Sequence, residues 1–146
     1  MKKNKSAMII ALAAIALAAI LPMFITNNYH LNLMIQVLIN IIDNAIKYTP
    51  VGSDIRIEWK KQGDFVLVSI ADNGPGISAE AKPHIFEMFY SASAKIADSR
   101  RSMGLGLALC KSIVNAHGGE ISVADQIPHG TIFTFSIPSG EVELHE

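Results

Sequence analysis

The sequence is poor in the features that announce several large classes of protein. It has one cysteine, Cys110, in 146 residues. A single thiol cannot close an internal disulfide, which points to a reducing compartment or to no redox role. Cys110 falls in an apolar helical pattern and reads as a small buried thiol. An excess of charge is also missing: 12 basic residues stand against 13 acidic ones, for a formal net charge of -1. A nucleic-acid partner would call for a basic excess or stripe, so none is expected. Internal repeats are absent. Two phosphate-binding signatures are present only as fragments. Cys110-Lys111-Ser112 has the Lys and Ser that close a P-loop, but Cys110 and Leu105 stand where that motif needs glycine. A dinucleotide fingerprint starting at Gly104 and Gly106 needs a third glycine where Leu109 stands, and a preceding strand that residues 91–103 do not offer.

What is present divides into two unequal parts. Met1-Lys2-Lys3-Asn4-Lys5 is a basic start, and residues 7–25 then run without a charge. That is near the roughly 20 residues needed to cross a bilayer. Residues 1–28 are therefore expected to form a hydrophobic leader, transmembrane or signal-like, that is helical and in possible membrane contact through residues 7–25. The competing reading is a hydrophobic helix packed on the domain. Pro22 would kink or end such a helix. Residues 29–146 read as one globular domain.

Within that domain, Leu31, Met34, Ile35, Leu38, Ile42, Ala45 and Ile46 predict a helix over 31–48, stopped by Thr49-Pro50-Val51-Gly52. Residues 54–60 alternate, with Ile55, Ile57 and Trp59 on the apolar side, and predict a half-buried strand. Residues 65–71 are apolar on both faces and predict a central strand. A short helix is expected within 78–89. Residues 91–103 show no period. A second long helix is expected over 105–117, capped by Gly118-Gly119. Strands are expected at 120–124 and 131–138, joined around Pro128-His129-Gly130. This order predicts an α/β (α+β) two-layer sandwich: a mixed, mostly antiparallel sheet with helices packed on one face.

Three segments carry candidate chemistry. Asp72-Asn73-Gly74-Pro75-Gly76-Ile77 follows the central strand. A carboxylate there can accept a hydrogen bond from a base amino group, and glycines let the backbone approach a flat ligand. The same composition also ends ordinary strands in a turn. On the first helix Gln36, Asn40 and Asn44 share a face, flanked by Asp43 and Lys47. Amide oxygens together with phosphate oxygens suit Mg²⁺, whereas the plain alternative is a solvated stripe with an i,i+4 ion pair. Gly104-Leu105-Gly106-Leu107 opens the second long helix, where free N–H groups favour an anion; the alternative is a helix start with glycines for close packing. The preceding stretch, 91–103, brings Lys95, Arg100 and Arg101 and reads as a lid or a mobile linker.

Together these segments resemble one family. Asn40-Ile41-Ile42-Asp43-Asn44-Ala45-Ile46-Lys47-Tyr48 is similar to an N box, and Asp72-Asn73-Gly74-Pro75-Gly76-Ile77 to a G1 box. Phe86-Glu87-Met88-Phe89 is similar to an F box, and Gly104-Leu105-Gly106-Leu107 to a G2 box. In this order they resemble the ATP-binding catalytic domain of sensor histidine kinases, with the Bergerat ATP-binding fold of the GHKL superfamily. Residues 97–111 and the ending 141–146 look like the osmosensitive potassium-channel (KdpD-type) sensor kinases.

The resemblance implies ATP and Mg²⁺ as cofactors. Asp72 would bind the adenine amino group, with Gly74 and Gly76 admitting the base, Tyr48 against it and Thr131 near it. Ile77 and Phe89 would add nucleotide contacts. Asn44, with Asn40, would hold the metal, and Lys47 would meet a phosphate, so Asn44 and Lys47 take the catalytic roles. Gly104, Leu105, Gly106 and Leu107 would cover the phosphates, joined by Lys95 and Arg101. Such a domain mostly positions its nucleotide, since phosphoryl transfer needs orientation and charge stabilisation. Implied partners are a histidine-bearing dimerisation domain and a downstream response regulator. His30, His84, His117, His129 and His145 are not in the context of the phosphoacceptor, which lacks a counterpart here. Ser102 replaces a glycine common in the second glycine box.

The implied location is the cytoplasmic face of a bacterial membrane, or the cytoplasm if the leader is not inserted. Lys2, Lys3 and Lys5 favour an N-terminus held inside, which for a single span conflicts with an ATP domain on the same side. Two alternatives stay open: a nucleotide-binding regulatory module or truncated remnant without transfer activity, and an ATPase of the topoisomerase or chaperone branch, for which a longer lid would be expected.

Overall fold

The computed structural model describes residues 28–90 and 104–139. The leader up to residue 27, the segment 91–103 with Lys95, Arg100, Arg101 and Ser102, and the ending 141–146 lie outside the described residues. Helix α1 is Asn28–Tyr48 and helix α2 is Gly106–Ala116. The strands are β1 (Ile55–Gln62), β2 (Phe65–Asp72), β3 (Ile121–Asp125) and β4 (Thr131–Pro138). They form one sheet in the order β1-β2-β4-β3. All three pairings are antiparallel, so the expected mixed sheet is corrected for the described residues.

The apolar spacing of α1 accounts for its position. Met34, Val37, Leu38, Ile41, Ile42, Ala45 and Ile46 recur every three or four residues and are buried, forming the stripe that faces the core. The helix ends where Thr49 turns its Oγ1 to the Ala45 carbonyl at 2.6 Å and Pro50 follows. Strands β2 and β4 alternate. Val66, Val68 and Ile70 with Phe133, Phe135 and Ile137 point to the helices and are buried. Cys110, Ile113 and Val114 of α2 complete this core. On the opposite face, Ser69 and Thr134 hydrogen-bond across the strands at 3.0 Å.

β2 is central, as its two apolar faces predict. β1 is an edge strand, and Trp59 is 55% exposed rather than packed on the apolar side. Ile55 and Ile57 do pack on the core. Trp59, which pairs with Val68 on the helix-facing side, is exposed towards the β1–β2 hairpin, so the helical layer covers only the other end of this strand. The hairpin has two linking residues, with Gly63 at φ +59°.

The short helix expected within 78–89 is instead a chain of turns. Lys82 donates to the Ser78 carbonyl, but His84 reaches only to Ala81 and Glu87 only to His84. Pro83 lacks an N–H and disfavours helical dihedrals at Lys82, so the i→i+4 ladder cannot propagate.

Candidate nucleotide-binding site

One pocket of about 500 Å³ opens between the C-terminal end of α1, the loop after β2, the start of β4 and the start of α2. Its polar floor is made by two facing residues. Asp72 ends β2 and Thr131 begins β4, and the two are direct Cα partners. Both are buried, at 8% and 5% exposure. Burying a carboxylate or a hydroxyl costs free energy unless it is hydrogen-bonded. Asp72 Oδ1 accepts the Gly74 N–H at 2.9 Å. The second carboxylate oxygen is the acceptor that a ligand with an amino group would use.

The wall of the pocket is apolar and comes mainly from residues that face the core. Ile77, Ala81, Ile85, Leu107 and Phe133 line it. An apolar slot with a few convergent polar groups suits a flat heterocycle. Gly76, at φ +80°, takes the chain past the mouth in a conformation that other residues resist. Tyr48 and Pro75 stand between this pocket and an open groove of about 470 Å³ that holds Lys47, Gly74 and His129.

Two helix ends also border the pocket. Asn44 lines the pocket near the end of α1. Gly104, Gly106 and Leu107 line it at the start of α2. The residue preceding that helix, Leu105, makes no side-chain capping bond. The first N–H groups of α2 are thus uncapped by a side chain beside the pocket, where an anion is favoured. Gly104, at φ +66°, has no room for a side chain: an added Cβ would meet the Tyr90 carbonyl oxygen at 2.6 Å.

The structure brings Asn44, Tyr48, Asp72, Gly76, Ile77, Gly104, Gly106, Leu107 and Thr131 into the pocket wall. Gly74 and Lys47 are in the adjoining groove, where Lys47 Nζ is 5.4 Å from the Tyr48 ring centroid. Asn40 is not at the pocket wall. Its Nδ2 reaches the Gly106 carbonyl at 3.4 Å and its Oδ1 accepts from Gln36 at 2.9 Å, so it ties α1 to the start of α2. Leu105 is also outside the wall. Phe89 is 73% exposed with φ +64°, and it points away. Its neighbour Tyr90 lines the pocket instead. Ala45, Pro75, Ser78, Ala81, Ile85, Tyr90 and Phe133 are the lining residues that sequence reasoning missed. The only available signal was the apolar alternation of 131–137, which puts Phe133 on the Thr131 face.

Mg²⁺ is implied by the resemblance. Among the described residues no group of three or more His, Cys, Asp and Glu could hold a metal ion. The donor set at the pocket is the Asn44 amide oxygen, a hard ligand that fits Mg²⁺ only when phosphate oxygens and water complete the shell. Cys110 takes no part. It is fully buried, donates to the Val37 carbonyl at 3.7 Å, and burial pushes its thiol from 9.0 up to about 11 against a smaller opposing effect of the Asn40 side chain.

The family model described as "Histidine kinase-, DNA gyrase B-, and HSP90-like ATPase" matches residues 30–141. Sensor protein KdpD of Clostridium acetobutylicum is 49% identical over 107 residues, which are 73% of this chain and 12% of that protein. The solved structure of a mycobacterial sensor histidine kinase, MprB, is 30% identical with a TM-score of 0.66, covering 74% of this chain and 73% of that one. Full-length ShkA in complex with AMPPNP is 29% identical with a TM-score of 0.64, covering 74% of this chain and 22% of that one. The chain thus spans about an eighth of the curated relative's length. Matched over most of its length by the family model and by a sensor-kinase structure, the chain belongs to the histidine kinase-, DNA gyrase B- and HSP90-like ATPase family, as an ATP-binding catalytic domain of the sensor histidine kinase type.

Proposed function

We propose that this domain binds Mg-ATP and presents the terminal phosphate to a histidine on a separate dimerisation domain. The observation that carries the reading is the buried Asp72–Thr131 pair at the floor of a largely apolar pocket. Asp72 accepts from the adenine amino group, Thr131 supplies a hydroxyl beside it, and Tyr48 and Ile77 flank the base. Gly74 and Gly76 keep the loop close to it. The uncapped start of α2, from Gly104 to Leu107, faces the phosphates. Asn44 supplies one oxygen to the metal, which would neutralise phosphate charge. Asn40 acts behind it, by holding the Gly106 carbonyl. Lys47 meets a phosphate from the neighbouring groove, Tyr90 rather than Phe89 lines the pocket, and Lys95 and Arg101 join from the segment 91–103. AMPPNP bound to ShkA supports the nucleotide class.

The partners in this reading are the histidine-bearing domain and a response regulator. The 49% identity to KdpD favours potassium-linked signalling at the cytoplasmic face of a bacterial membrane. Residues 1–28 form a separate leader in this reading, with membrane contact through 7–25. Among the described residues no helix is long and apolar enough to cross a membrane. Incubating the chain with labelled ATP, Mg²⁺ and a supplied dimerisation domain tests transfer. Label on the histidine is expected. Nucleotide binding without transfer would favour the non-transferring regulatory module.

A further inference from the structure

We propose that His129, on the turn between β3 and β4, is a positioning residue for the base-binding carboxylate. Its Nδ1 is 3.1 Å from the Gly74 carbonyl oxygen. A carbonyl can only accept, so Nδ1 carries the proton and donates. The Gly74 N–H in turn donates to Asp72 Oδ1 at 2.9 Å. His129 is therefore one residue removed from the carboxylate that faces the pocket, although Gly74 is 55 positions away in sequence.

Gly74 is confined on its other sides as well. An added Cβ would meet Thr49 Cγ2 at 2.7 Å and Asp72 Oδ1 at 3.0 Å. The turn also presses on the loop through its backbone. A Cβ on Gly130 would meet the Asp72 carbonyl oxygen at 1.8 Å, and one on Gly76 would meet the Gly130 oxygen at 3.3 Å. From the β1 side, Asp54 N–H donates to Asn73 Oδ1 at 2.8 Å. The loop is thus fixed at Asn73 by one strand end and at Gly74 by His129. The turn closes with its own bond from Gln126 N–H to the Gly130 carbonyl. The exposed His129 ring is not needed to form it, and its donor is spent on the loop.

The inference rests on the reading of Asp72 as the base acceptor, and its test separates the two. Amide exchange at Gly74 is measured in the full chain without nucleotide, beside ATP affinity, for His129→Ala and His129→Asn. Losing one hydrogen bond should speed Gly74 exchange and weaken ATP binding by about 3- to 10-fold each in His129→Ala. Asn places an N–H donor where Nδ1 stood, so His129→Asn should restore both. Unchanged Gly74 exchange in His129→Ala would overturn the proposal, as would losses that His129→Asn fails to restore. Equal ATP affinity of the unmodified chain and Asp72→Asn would instead remove the base reading, while the exchange result still decides the role of His129.

Discussion

Asp72 and Thr131 face each other across β2 and β4, and they are the two buried polar side chains among the described residues. Every other buried side chain there belongs to the apolar core. The sheet therefore brings its two polar exceptions together at one end, beneath the opening of α2. Thr131→Val keeps the shape and removes the hydroxyl. Its expected effect is a loss of about 1 kcal/mol in ATP affinity, with a melting temperature at or slightly above that of the unmodified chain. Calorimetric titration and thermal denaturation read the two quantities separately.

The glycine at the end of the β3–β4 turn has a steric reason to be glycine. Gly130 has φ +123° and abuts the Asp72 carbonyl, so Gly130→Ala should destabilise the domain by at least about 3 kcal/mol. Gly63 in the first hairpin is the control. It has φ +59° but open space around it, and Gly63→Ala should cost only about 1 kcal/mol. Denaturant unfolding of both variants checks the difference.

In the proposed reading, the metal and the base of the nucleotide meet different residues, Asn44 and Asp72. Asn44→Ala should weaken Mg-ATP binding by about 1.5–3 kcal/mol, because the lost contact is to charged partners. Binding of ADP without Mg²⁺ should change much less. Parallel titrations with and without the metal make the comparison.

Much of the fold was legible because its periodicities are local. The stripe from Met34 to Ile46 and the alternation of Val66, Val68 and Ile70 sit within single elements. Asp72 was legible as a candidate residue because its carboxylate and two glycines follow a central strand. That it is buried opposite Thr131 in the pocket wall depends on the pairing of β2 with β4. Other parts depend on long-range geometry. Gln36, Asn40 and Asn44 do share a helix face, but α2 packs against that face at Asn40, so only Asn44 reaches the pocket. One positive φ at Phe89 turns its ring outward and leaves Tyr90 on the wall. The helix pattern over 78–89 is apolar enough to mislead, and Pro83 decides against it.

Cys110 gives a prediction about pH. Its folded value of about 11 lies above the ordinary 9.0. The folded state then holds the thiol proton more tightly than the unfolded state. The associated stability is fully present below pH 9 and is lost as pH rises towards 11. The loss amounts to roughly 2–3 kcal/mol. Unfolding free energies of the unmodified chain and Cys110→Ala, measured across that window, should converge as pH rises.

The central claim is that Asp72 recognises the base of a bound nucleotide. Asp72→Asn can keep the Gly74 bond through its amide oxygen, but it turns an NH2 group towards the amino group of the base. The direct measurement is calorimetric titration of a non-hydrolysable ATP analogue with Mg²⁺ into the unmodified chain and Asp72→Asn. The account predicts saturable binding for the first and affinity about 10- to 100-fold weaker for the second, with equal melting temperatures in the absence of nucleotide. Equal affinities in two folded proteins would contradict it.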